Sequence, residues 1–98
     1  MRSDALPDPI LGAGFLEALR LAVDLHSRQA RKGSRVPYLG HLLGVSGLVI
    51  DADGSEDEAI AAVLHDAVED PGGAATLERI RTRFGSNVAA IVDGMFRY

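Results

Sequence analysis

The sequence predicts an all-α domain. Apolar residues recur every three to four positions in several separate stretches. No stretch alternates apolar and polar residues with a period of two. Gly, Pro and helix-capping residues fall at the seams between the stretches. A length of 98 residues suits one domain.

Residues 1–13 contain Pro7, Pro9 and Gly12 and read as a loose lead-in, with the domain proper spanning 14–98. Phe15, Leu19, Ala22, Val23, His26 and Ala30 lie at helical spacing, which predicts a first helix from about Gly14 to Lys32, ended by Gly33. Pro37 imposes an extended turn. A second helix is predicted over about Gly40 to Ile50, with Leu42, Val45, Leu48 and Val49 inward and a turn at Asp51–Gly54. Ser55 with Glu58 has the form of a capping box and opens a third helix to about Glu69. Pro71-Gly72-Gly73 ends it. Thr76 is a candidate cap for a fourth helix stopping at Phe84-Gly85. Ser86 is a candidate cap for a fifth, with Val88, Ala89, Ile91, Val92 and Met95 inward.

Aromatic residues are few and Trp is absent, so the core must rest on Leu, Val, Ile and Ala. There is no Cys, hence no disulfide, which fits a reducing compartment. No basic region followed by an apolar run opens the chain, and no apolar stretch reaches membrane-spanning length. A soluble cytoplasmic protein with no membrane partner is expected. The net charge of −4 argues against nonspecific nucleic-acid binding. Its distribution is uneven. Arg28, Arg31, Lys32 and Arg35 fall within eight residues, whereas Asp51, Asp53, Glu56, Asp57, Glu58, Asp66, Glu69 and Asp70 fall within twenty. Two solvated segments, or an anion held between a basic patch and a metal site, both fit this pattern.

The chemistry concentrates in Pro37-Tyr38-Leu39-Gly40-His41 and in Leu64-His65-Asp66-Ala67-Val68-Glu69-Asp70. On a continuous third helix, Ile60, Ala61, Leu64, Ala67 and Val68 form an apolar arc, and His65, Asp66, Glu69 and Asp70 occupy most of the opposite side. A wet helix face is the plainer reading. Two features oppose it. Ala62 and Val63 interrupt the polar arc, and the arc carries three acids and one His without a Lys or Arg. Imidazole and carboxylate together suit Mn²⁺, Fe²⁺ or Zn²⁺. A divalent ion makes hydroxide available near neutral pH, with a neighbouring carboxylate to orient water or shuttle a proton. On that reading His65 and Asp66 are ligands, His41 joins them from the second helix, and Glu69 and Asp70 serve the chemistry. His26 lies on the apolar side of the first helix and reads as a packed core histidine.

These residues resemble the N-terminal half of the HD-type hydrolase domain of the RelA/SpoT family, which includes small alarmone hydrolases. The matching text runs from His26-Ser27-Arg28-Gln29-Ala30-Arg31-Lys32-Gly33 through Val36–His41 and Ala61–Asp70. It continues past Ile80, Phe84-Gly85 and Val88 to Val92-Asp93-Gly94. The resemblance implies an HD-domain-like bundle and a Mn²⁺-dependent hydrolase that removes the 3′-pyrophosphate of ppGpp and pppGpp. It implies metal ligands at His41, His65 and Asp66, a catalytic acidic pair at Glu69 and Asp70, and nucleotide contacts at Arg31 and Lys32 with Tyr38 beside them. His26 matches a family histidine that is not a ligand.

The chain departs from the family pattern at Leu42, where Pro is usual, and at Pro71, where Thr is usual. The family's fourth ligand, an Asp in a later helix, and the nucleotide-binding Asn after it have no counterpart in these residues. The expectation is therefore a truncated bundle of about five helices, a weakly active alarmone pyrophosphohydrolase. The alternative is a non-catalytic HD remnant that binds nucleotide or oligomerises. Apolar surface left open on the first, third and fifth helices favours a homodimer.

Overall fold

The computed structural model describes residues 11–68 and 73–97. In order they form α1 (Ala13–His26), α2 (Leu39–Asp51), α3 (Glu56–Leu64), a 3₁₀ turn (His65–Val68), α4 (Gly73–Phe84) and α5 (Ser86–Arg97). No strand occurs among the described residues; a single antiparallel bridge joins Ala30 to Pro37. No helix among them is long and apolar enough to cross a membrane.

The centre of the bundle is α3, packed against α1, α2 and α5. Every residue from Ala59 to Leu64 is buried. A helix that is apolar all round belongs inside a core, and this is why Ala62 and Val63 interrupt the polar arc in the sequence. Around α3 the core is completed by Ala18, Leu21 and Ala22 of α1, Leu42 of α2, Ile80 of α4, and Val88, Ala89 and Val92 of α5.

Polar ties fix the helices around this core. The carboxylate of Glu56 accepts the backbone N–H groups of Gly12, at 2.6 Å, and Phe15, at 3.3 Å, and so closes the open N-terminus of α1. The buried hydroxyl of Ser46 donates to the Ala59 carbonyl at 3.0 Å, joining α2 to α3. Asn87 donates to Asp57 at 2.8 Å, joining α5 to α3. An Arg83–Glu17 ion pair links α4 to α1. Of the expected lead-in, residues 1–10 lie outside the described residues.

The predicted capping box is present. Ser55 Oγ accepts the Glu58 N–H at 3.1 Å, and the Ser55 N–H donates to Glu58 Oε1 at 2.8 Å. The turn before it closes α2: Asp53 N–H reaches Ile50 O, Gly54 N–H reaches Val49 O, and Asp53 sits at φ 65°. Gly85 both ends α4 and starts α5. Its N–H bonds to Arg81 O, its carbonyl accepts Ala89 N–H, and its φ of 98° suits Gly.

Several local expectations change. The first helix ends at His26, six residues early. Residues 29–31 instead pair with 36–38, through Arg31 N–H to Val36 O at 2.8 Å and Tyr38 N–H to Gln29 O at 2.9 Å. Gly33, at φ 73°, lies in the loop between them. The inward face of α1 is also rotated: Val23 is exposed, and Ala18 and Leu21 are buried, while Ala30 lies beyond the helix and is exposed. On α2, Leu48 is 72% exposed and Ser46 takes the inward place. Thr76 lies inside α4, which begins at Gly73, and Ser86 is the first helical residue of α5. The third α-helix stops at Leu64 and tightens into the 3₁₀ turn.

Candidate metal centre

Two elements meet at one end of α3. His65 and Asp66 open the 3₁₀ turn, and His41 comes from the first turn of α2. The change of helical pitch occurs where the chain leaves the fully buried stretch of α3. Ala67 and Val68 remain buried, whereas His65 and Asp66 are partly exposed. The α3–α2 packing, pinned by Ser46, sets the distance between the two contributors.

One donor atom from each of His41, His65 and Asp66 lies within 4.8 Å of the other two. Nε2 of His65 is 3.1 Å from Asp66 Oδ1, and Nε2 of His41 is 4.0 Å from Asp66 Oδ2. Metal–ligand bonds of about 2.0–2.2 Å place neighbouring donors roughly 3–4 Å apart, so the His65–Asp66 separation suits a shared ion, with His41 near enough to join it. Nδ1 of His65 lies 2.6 Å from the Ala62 carbonyl oxygen. A carbonyl only accepts, so Nδ1 carries the proton, and in the neutral ring Nε2 keeps its lone pair on the Asp66 side. A metal-binding histidine commonly has its second nitrogen tied back in this way. The donor set therefore fits a divalent cation on both ligand type and tautomer.

The side chain of Asp66 is only 9% exposed. A carboxylate this enclosed needs partners. It accepts a hydrogen bond from the Tyr38 hydroxyl, and its other oxygen faces His65 Nε2 at 3.1 Å, a pair of acceptors that a cation between them would satisfy. The Tyr38 ring lies 5.4 Å from the His41 ring and 5.6 Å from that of His26. The His41 and His65 rings are 5.8 Å apart, edge to face. Tyr38, His41, His65 and Asp66 thus form one contiguous cluster.

The remaining candidates are placed differently. His26 is buried, with Nδ1 2.7 Å from Gln29 Oε1, which matches a packed core histidine. Arg31 and Lys32 are exposed on the loop that delivers Tyr38. Glu69 and Asp70 lie outside the described residues. Two contributors were not visible as site residues in the sequence. The Ala62 carbonyl has no side-chain signature, although its place three residues before a helix-terminal His marks it. Gln29 holds the His26 ring with its side chain and the Tyr38 N–H with its backbone.

The model of the HD domain matches residues 18–98, most of the chain and all of this cluster. The chain belongs to the HD domain family. This HD domain is 40% identical over 78 residues to a probable guanosine-3′,5′-bis(diphosphate) 3′-pyrophosphohydrolase of Synechocystis. The match covers 80% of the chain and 10% of that relative. It is 41% identical over 82 residues to the pyrophosphohydrolase MESH1 of Xenopus tropicalis, covering 81% of the chain and 45% of the relative. A solved structure described as a metazoan ortholog of SpoT that hydrolyzes ppGpp superposes with a TM-score of 0.78 at 33% identity. That superposition covers 90% of this chain and 50% of the other. The HD domain thus spans half or less of each of these relatives, and the resemblance to the RelA/SpoT family holds over that part.

Proposed function

We propose that this HD domain holds a divalent ion, Mn²⁺ in the first instance, and acts on the 3′-pyrophosphate of a guanosine alarmone such as ppGpp. The observation that carries the proposal is the convergence of His41, His65 and Asp66 donors with the His65 tautomer fixed by Ala62. When bound, the ion would supply charge stabilisation and a low-pKa water. His65 and Asp66 would hold it from the 3₁₀ turn and His41 from α2. Glu69 and Asp70, next along the chain, are assigned the orientation of the attacking water and the transfer of its proton. Arg31 and Lys32 are assigned to the anionic nucleotide. Arg offers a planar fork for phosphate and a face for a base, and Lys a compact charge. A soluble, cytoplasmic setting belongs to the same reading and rests on the cysteine-free composition.

Weak turnover is proposed for these 98 residues taken alone, because the resemblance implies a further Asp ligand that they do not supply. The test is pyrophosphate release from ppGpp by this polypeptide, with and without Mn²⁺. Slow release that requires Mn²⁺ and disappears in Asp66→Asn supports the reading. Release as fast as that of a full-length relative would remove the claim of weakness, and Mn²⁺-independent release would remove the metal role.

A specific observation favours a second, binding role. Leu16, Val23 and Leu25 of α1 and Leu43, Leu48 and Ile50 of α2 are exposed. Open apolar side chains were expected on the first, third and fifth helices; among the described residues the large exposed ones lie on α1 and α2, and none lies on α3 or α5. Pairing of two copies through this surface is proposed. A monomer by light scattering over a wide concentration range would contradict it.

A further inference from the structure

We infer that Tyr38 is a positioning residue for the Asp66 carboxylate, held in place by His26 and Gln29, rather than solely a nucleotide contact. The inference rests on the metal reading above and deepens it.

Contacts along its whole length fix Tyr38. Its backbone N–H donates to the Gln29 carbonyl at 2.9 Å. The Ala30–Pro37 bridge holds the preceding residue against the same loop. One side of the ring meets His26, buried and bonded through Nδ1 to the Gln29 side chain. The ring also meets His41. At its far end the hydroxyl donates to Asp66 Oδ2. A rigid ring with both ends tied carries little freedom, so the hydroxyl arrives at a set position.

The consequence lies in the two oxygens of Asp66. A carboxylate is free to rotate and to present either oxygen, or both, to a cation. With the phenol proton on Oδ2, the rotation is stopped and Oδ1 is left beside His65 Nε2 at 3.1 Å. The phenol does for Asp66 what the Ala62 carbonyl does for His65: it ties back one atom and so aims the other. Outer partners of this kind typically change metal affinity by roughly 10–100-fold. Among the described residues His26 has no hydrogen-bond partner at Nε2. Its place is explained by the ring surface it offers to Tyr38 and by its grip on Gln29.

Tyr38→Phe keeps the ring and removes only the hydroxyl. Mn²⁺ affinity of the 98-residue chain is measured by electron paramagnetic resonance of free Mn²⁺, alongside the visible spectrum of the Co²⁺-loaded protein. The expected result is a rise in the Mn²⁺ Kd of roughly tenfold or more and a changed Co²⁺ spectrum, with an unchanged far-ultraviolet spectrum of the metal-free protein. An unchanged Mn²⁺ Kd, with any effect confined to nucleotide affinity, would overturn the assignment and leave the metal reading standing. Failure of the unsubstituted chain to bind Mn²⁺ would overturn both.

Discussion

Nδ1 of His65 meets the carbonyl oxygen of Ala62 at 2.6 Å, three residues back along the chain. The contact lies where α3 gives way to a 3₁₀ turn at His65. It settles which ring nitrogen holds the proton, and it directs the other toward Asp66. Donor atoms of these two sequence neighbours and of His41 lie within 4.8 Å of one another.

Metal binding should therefore stabilise the fold. At a Mn²⁺ concentration of 100 times Kd the gain is about 2.7 kcal/mol. For a domain of this size that raises Tm by roughly 10–20 °C. Differential scanning calorimetry with Mn²⁺, and again after a chelator, checks it. Asp66→Asn should abolish the shift while leaving the metal-free Tm close to that of the parent.

The capping box gives a prediction with a defined pH sign. The Ser55 backbone N–H, and then its hydroxyl-bonded geometry, hold the Glu58 carboxyl below its ordinary value of 4.5. A group with a lowered folded pKa contributes stability that is present above the unfolded value and lost as pH falls through the folded one. Ser55→Ala should cost about 1 kcal/mol near neutral pH. The gap between the parent and a Glu58→Gln variant in urea unfolding should narrow as pH falls below 4.5. A gap that stays constant from pH 7 to pH 3 would contradict the role of the charged carboxylate.

Leu64 is fully buried at the end of α3, immediately before His65. Leu64→Ala should destabilise the fold by about 2–5 kcal/mol through lost burial and the cavity left behind. Leu48→Ala, at a position 72% exposed, should change monomer stability by no more than about 0.5 kcal/mol. Equal effects of the two would contradict the burial pattern of α2 and α3.

The α2–α3 turn offers a stabilising change. Asp53 is held at φ 65°, where Gly is favoured after a helix. Asp53→Gly should raise stability by up to about 1 kcal/mol. Gly54→Ala should lower it, because an added Cβ would lie 2.8 Å from the Val49 carbonyl oxygen. Thermal melts of both variants decide this.

Glu56 closes α1 from a position more than forty residues away. Glu56→Ala leaves two backbone N–H groups without that acceptor and should cost about 1–2 kcal/mol. Hydrogen exchange at Gly12 and Phe15 should accelerate more than exchange in α5.

The all-α class, the helix seams at Asp51–Gly54 and Gly85, the Ser55–Glu58 box and the inward face of α5 were legible in the residues themselves. Each depends on neighbours within a few positions: period, capping chemistry, or a backbone angle that Gly tolerates. The three candidate ligands were legible because their types and order match a known pattern. What the chain alone did not decide are the features set by distant contacts. The stop of α1 at His26 depends on pairing between residues 29–31 and 36–38. The rotation of the α1 and α2 faces depends on which sides α3 occupies, and that is why Val23 and Leu48 point outward and Ser46 inward. The tie between Tyr38 and Asp66 spans 28 residues. No local propensity encodes it. It arises only when the loop folds back, the ring finds His26, and the partly buried carboxylate takes the donor that packing brings within reach.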